Sequence, residues 1–159
     1  MSEPRLRGEE LTKWLREAYF TLDGLWFLTL EERLGIEGAV EVDIEVWRRF
    51  ARVMAKRVAR RLGVDPSSVE EVARSLRVLF DIEGWEVGPG PSKASLQVER
   101  CPWWDYLSRV GRLHVADYVC PKVCEAIFSS WAEALNPIVR LSFTFAPPHC
   151  RASFYTEGS

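Results

Sequence analysis

The sequence predicts a single α+β domain, with a helical half over residues 8–80 packed on a sheet of about four mainly antiparallel strands within residues 84–156. Three observations predict it. Apolar residues recur with a helical period as far as about Phe80; segments after Gly84 alternate with period two; and no linker or internal repeat separates the two regimes. At 159 residues and 47% apolar content, the chain is long enough to bury one core.

The elements follow in order. Gly8-Glu9 opens a helix running to about Phe20. A second helix covers residues 22–34, with Leu22, Trp26 and Leu30 on one side and Gly35 at its end. A third covers residues 36–62, where Ile36, Val40, Ile44, Trp47, Ala51, Met54 and Val58 have amphipathic spacing and Gly63 closes the helix. Asp65-Pro66 supplies an N-cap followed by proline at the first helical position, and this fourth helix reaches about Phe80. Residues 84–87 are short and extended. Gly88-Pro89-Gly90-Pro91-Ser92 reads as a hairpin loop, and residues 94–99 alternate as a strand. Residues 103–110 and 121–135 read as helices, the second stopped by Asn136-Pro137. Residues 138–145 and 150–155 alternate again on either side of Pro147-Pro148.

Net charge is −2 and the pI about 5.8, a balance that calls for neither a nucleic acid nor a membrane partner. No apolar run reaches the roughly 18–20 residues of a spanning helix. The start, MSEPRLRGEE, is charged and has no apolar stretch, unlike a secretory signal, so a cytoplasmic location is expected. Arg48, Arg49, Arg52, Lys56, Arg57, Arg60 and Arg61 form a basic run on the third helix. No aromatic residues interleave it on its polar face for stacking, so it reads as a solvated helix face near a C-terminal dipole rather than a nucleic-acid surface.

The four cysteines, Cys101, Cys120, Cys124 and Cys150, each stand where an element begins or ends. In a reducing compartment such cysteines are metal-binding, redox-active or simply buried, rather than disulfide-bonded. Their spacing is not the short paired knuckle of a zinc ribbon. Cys120 and Cys124 lie four apart around an expected helix start, with Cys120 as N-cap and Pro121 following. They therefore share a face, near N–H groups that favour the thiolate. Four thiolates suit zinc or an iron–sulfur cluster, which the sequence does not distinguish. His149 and His114 are alternative ligands.

Two carboxylates fall on inward helix faces. Asp43 sits at the centre of the third helix's apolar stripe, between Phe50 and Trp47 in angle, and Asp23 lies near Tyr19, Trp26 and Leu30 on the second. Such acids hold a hard metal ion, act as acid and base, or pair with an arginine such as Arg140 or Arg151.

Asp23-Gly24-Leu25-Trp26-Phe27 with Glu31-Glu32, leading into the helix carrying Asp43 and Trp47, resembles the N-terminal half of a family of prokaryotic proteins related to L-2-amino-thiazoline-4-carboxylic acid hydrolase. Cys101-Pro102, Cys120-Pro121-Lys122-Val123-Cys124 and His149-Cys150-Arg151-Ala152-Ser153-Phe154 resemble the same family's C-terminal pattern. Together these cover most of residues 20–155. The cysteine layout is similar, more distantly, to the four-vinyl-reductase-like domain, a small-molecule sensor with a cysteine-rich zinc site. That likeness implies Cys101, Cys120 or Cys124, and Cys150 as ligands. The resemblance implies an α+β fold and a metal site, and allows three roles. One is hydrolysis of a C–N bond in a small ring or amide, with Asp23 or Asp43 as base. Another is a non-catalytic sensor with structural zinc and an apolar pocket lined by Trp26, Trp47 and Trp103. The last is an iron–sulfur protein in electron transfer or metallocofactor assembly. The expected partners are a small-molecule ligand or substrate and a second copy of the chain.

Overall fold

The helical period of the first third produces one long helical segment, α1 (Gly8–Leu62), in a computed structural model that describes residues 6–158. The charged stretch at residues 1–5 lies outside the described residues. Gly35 interrupts α1 with φ 74 and ψ 171, a left-handed backbone that favours glycine, so the break expected there is present. The break expected between Phe20 and Leu22 is absent, because no glycine or proline stands between those residues to stop the helix. The chain's contacts divide it into two units, one ending at Ala39 and one beginning at Val40.

In the first unit, Phe20 is buried and meets Tyr19 edge to face at 5.8 Å. Asp23, Phe27 and Leu30 are half-buried, whereas Leu22 and Trp26 are exposed. Of the stripe read from the sequence, only Leu30 is thus partly covered.

In the second unit, α1 buries Val40, Asp43, Trp47, Ala51, Ala55 and Val58, the stripe its periodicity predicts. The expected fourth helix is two: α2 (Val69–Ser75) and α3 (Arg77–Glu83), joined at the fully buried Leu76. The N-cap is Ser68, whose hydroxyl accepts from the Glu71 N–H at 3.2 Å. Asp65 instead closes a local turn, accepting from the Ser67 N–H at 2.9 Å, which displaces the helix start downstream. Gly84, at φ 83, terminates α3.

Strands β1 (Glu86–Pro89), β2 (Ser95–Arg100), β3 (Arg140–Thr144) and β4 (Arg151–Tyr155) form an antiparallel sheet in the order β1-β2-β4-β3. In the β1–β2 hairpin, the Gly90 N–H donates to the Ser95 carbonyl at 3.1 Å, and a Cβ on Gly90 would come within 2.4 Å of the Ser95 Cβ. Registers Leu96↔Ala152, Phe143↔Ala152 and Leu141↔Phe154 gather apolar side chains on one face. Helix α4 (Pro102–Arg109) follows β2, and α5 (Ala116–Leu135) follows a 3₁₀ turn. Helices α2 and α5 pack on the β4 and β3 side of the sheet. There Phe128 stands between Phe80 and Phe143, 5.6 Å from each ring, and Trp131 is fully buried. The chain is thus α+β, helical first and antiparallel sheet afterwards. Among the described residues no helix is long and apolar enough to cross a membrane.

Candidate metal centre

Three local devices place the four cysteines. Cys101 ends the β2 run and is the N-cap of α4: its sulfur accepts from the Trp104 N–H at 3.4 Å, with Pro102 at the first helical position. Arg100 anchors this turn through Asp105 at 2.7 Å. Cys150 precedes β4, and its carbonyl accepts from the Val98 N–H at 2.8 Å. The Gln97 amide also donates to the carbonyls of His149 (2.9 Å) and Cys150 (3.2 Å), while Arg151 Nε donates to Gln97 Oε1 at 2.9 Å. Cys120 and Cys124 share a face of α5, four residues apart.

Cys120 is not a helix cap. Helix α5 begins at Ala116, whose complete burial anchors the helix upstream, and Pro121 lies inside it at the loss of one ladder bond. The capping geometry expected of Cys120-Pro121 belongs to Cys101-Pro102.

All four cysteines line one cavity of about 20 Å³. Its other walls are apolar, including Trp85, Trp104, Phe128, Phe143 and Phe145. That volume holds about one water-sized guest. Burial pushes the Cys101 and Cys120 thiols up to about 12 and the Cys124 thiol well above its ordinary value; Cys150 is raised by the same cause. Neighbouring thiols add to the shift at Cys101, Cys120 and Cys124. Nearby acids contribute too: Asp117 and Asp43 act on Cys120, and Glu83 acts on Cys124. The expected helix-terminus stabilisation of the Cys120 thiolate is therefore overturned, because the thiol sits within α5 among apolar groups and acids. Among the described residues, no three His, Cys, Asp or Glu side chains stand at the spacing of a formed metal cluster. Drawing the sulfurs onto one ion would thus require side-chain movement. Cysteine sulfur is the donor type that thiophilic metals take.

The remaining predicted residues are distributed more widely. Asp43 is buried, and its carboxyl is pushed up to about 6 by burial, opposed by a hydrogen bond from the Trp47 indole. Trp47 meets Trp103 edge to face at 5.8 Å. Arg151 is turned to Gln97, and Arg140 to the Pro137 carbonyl (2.8 Å) and Glu157 (3.8 Å). Asp23 is half-buried in the first unit, where Trp26 is 55% exposed. Neither carboxylate lines the cavity, nor do Trp26, Trp47 and Trp103; its tryptophans are Trp85 and Trp104. His114 and His149 are exposed.

Sequence reasoning missed Glu83. It lies beyond Phe80, where the sequence places the helix end, yet α3 extends to it; it is buried, and its Oε2 accepts from the indoles of Trp85 (2.7 Å) and Trp103 (2.9 Å). Trp85, two residues downstream, was the available signal, because a buried indole needs an acceptor.

Residues 8–157 match a protein family described as a family of unknown function, DUF6125. The chain belongs to that family. The DUF6125 span includes all four cysteines, Asp43 and Glu83. No curated protein and no solved structure matches the chain.

The raised Asp43 pKa has a measurable consequence. Between about pH 4 and 6 the folded state holds this proton more tightly than the unfolded state does, so stability falls as pH rises through that window. Above it a deficit of about 3 kcal/mol remains, given the shift from 3.8 to about 6. In metal-free protein, Asp43→Asn is therefore expected to be more stable than wild type above pH 6, with the gain fading towards pH 4. Urea unfolding of both proteins across that range checks it. A gain that does not depend on pH would assign the effect to packing instead.

Proposed function

We propose that the protein binds a single thiophilic metal ion, with zinc the first candidate, through Cys101, Cys120, Cys124 and Cys150. The observation that supports this is the convergence of four cysteines, from three separate stretches of chain, on one ion-sized cavity. Four thiolates would close the coordination shell. The ion would then be structural, cross-linking the start of α4, the face of α5 and the start of β4. Such a site belongs in a reducing compartment, where thiols persist.

Magnitudes order the alternatives. A pocket for an organic ligand takes roughly 300–1,000 Å³, far above the 20 Å³ of this cavity. That places a sensor pocket, or a substrate pocket, at the cysteines behind a closed ion site. A polynuclear iron–sulfur cluster also needs more room than one water-sized void. Hydrolysis of a small cyclic amide, in line with the thiazoline-hydrolase resemblance, is the second reading. It is favoured by one observation: Asp43, whose raised pKa suits proton transfer near neutrality, lies within electrostatic reach of Cys120.

The test is metal content and the visible spectrum, measured together on untagged protein purified anaerobically. The expected result is zinc equimolar with chain and no colour. Cobalt exchange should then give the spectrum of a tetrahedral sulfur site. Iron with sulfide and brown colour would replace zinc with a cluster. Absence of metal, with four titratable thiols, would overturn the proposal. Turnover of cyclic amides by wild type and its loss in Asp43→Asn would raise the second reading above the first.

A further inference from the structure

The first unit carries large apolar side chains that its own fold does not cover. Leu11, Trp14, Leu15, Leu22, Leu25 and Trp26 are each between 40% and 71% exposed. At 100° per residue they fall within an arc of about 120°, the width of a helix face that normally meets a partner. The face has a regular seam. Leu11, Leu15, Ala18, Leu22, Leu25 and Thr29 alternate spacings of four and three, the pattern of a two-helix coiled coil.

The seam is also close to palindromic about residue 20. In an antiparallel pairing, Leu15 faces Leu25, Ala18 faces Leu22, and Leu11 faces Thr29 of the second helix. Every layer then contains at least one leucine, and the small Ala18 is filled by a large neighbour. A parallel, in-register pairing would instead set Ala18 on Ala18 and Thr29 on Thr29, leaving a gap and a polar layer. A surface that complements itself about a two-fold axis closes as a dimer.

We infer that this segment of α1 pairs antiparallel with the same segment of a second copy of the chain, about a two-fold axis near residue 20. The seam from Leu11 to Thr29 is about 27 Å long. Covering the exposed parts of its side chains and the flanking Trp14 and Trp26 removes roughly 700 Å² per copy, close to the ~800 Å² per partner of a standard stable interface. The pairing is independent of the cysteine cavity, so neither proposal depends on the other.

Light scattering after size exclusion, with far-UV circular dichroism as a control for folding, tests it. Wild type is expected at twice the 18.3 kDa chain mass at micromolar concentration. Leu15→Lys alone and Leu25→Glu alone each place a charge against leucine and should weaken dimerisation by roughly a hundredfold without loss of helix content. Both substitutions in one chain put lysine opposite glutamate only in the antiparallel pairing, and should recover at least about tenfold in affinity over either single variant. A monomeric wild type, single variants that still dimerise, or a double variant weaker than both singles would overturn the inference.

Discussion

Trp131→Ala is expected to destabilise the protein by about 3–5 kcal/mol, the cost of truncating a fully buried aromatic side chain. Trp131 is completely enclosed in α5, and its indole N–H donates to Ser75 Oγ at 2.9 Å, bridging α5 to α2. Two effects are combined in that number, and they can be separated. The hydrogen bond is worth about 1 kcal/mol net, and Ser75 keeps its own bond to the Val72 carbonyl at 2.7 Å whether or not the indole is present. Ser75→Ala strands the buried indole N–H and should cost about 1–3 kcal/mol, still less than truncating the ring, so burial should account for most of the tryptophan's effect. Urea unfolding of both variants decides it. Equal losses would make the hydrogen bond, not the buried ring, the source of stability at this junction. The expected loss is a large share of the roughly 8–24 kcal/mol that a chain of this length has in total.

The second large effect concerns the cysteines. On the proposed tetrathiolate site, Cys124→Ala should lower zinc affinity by at least about a hundredfold, since losing even an outer-shell partner of a metal ligand typically costs 10–100-fold. The same substitution in metal-free protein should change stability by only about 1 kcal/mol, because a half-buried thiol then acts as a small apolar group. The difference between those conditions carries the information. With free zinc a thousandfold above its dissociation constant, binding adds about 4 kcal/mol to wild-type stability, and the variant should lack most of that gain. His149→Ala, at an exposed position outside the cavity wall, should leave zinc affinity unchanged. Competition titration with a chromophoric chelator, followed by thermal unfolding with and without zinc, reads both quantities. If Cys124→Ala binds zinc as tightly as wild type, the four-sulfur site does not exist.

Much of the fold was legible because periodicity and punctuation are local. The buried stripe of Val40, Asp43, Trp47, Ala51 and Val58 can be read from spacing alone, and Gly35 and Gly84 interrupt or end helices where a positive φ is required. The starts of helices were read less well. Asp65 and Ser68 both offer a capping oxygen, and Asp65 is used in its own turn. Cys101 and Cys120 both precede proline, and only Cys101 caps a helix, because the burial of Ala116 carries α5 upstream of Cys120.

The site shows the same division. Residue type nominated the four cysteines, and spacing put Asp43 on an inward face. Spacing could not tell whether Leu22 and Trp26 face a core or solvent, since a single amphipathic helix has no record of which side another element covers. Nor could it find Glu83, whose burial depends on two indoles arriving from Trp85 and Trp103. The sequence by itself determined the order of helices and strands and the chemical character of the four cysteines, because both are properties of neighbouring residues. Only the tertiary structure decided that Cys101, Cys120, Cys124 and Cys150 share one cavity, walled by Trp85 and Trp104. The physical reason is that sheet registry and helix packing bring together positions some fifty residues apart along the chain, and the burial and charge that set the thiols' properties arise only from that assembly.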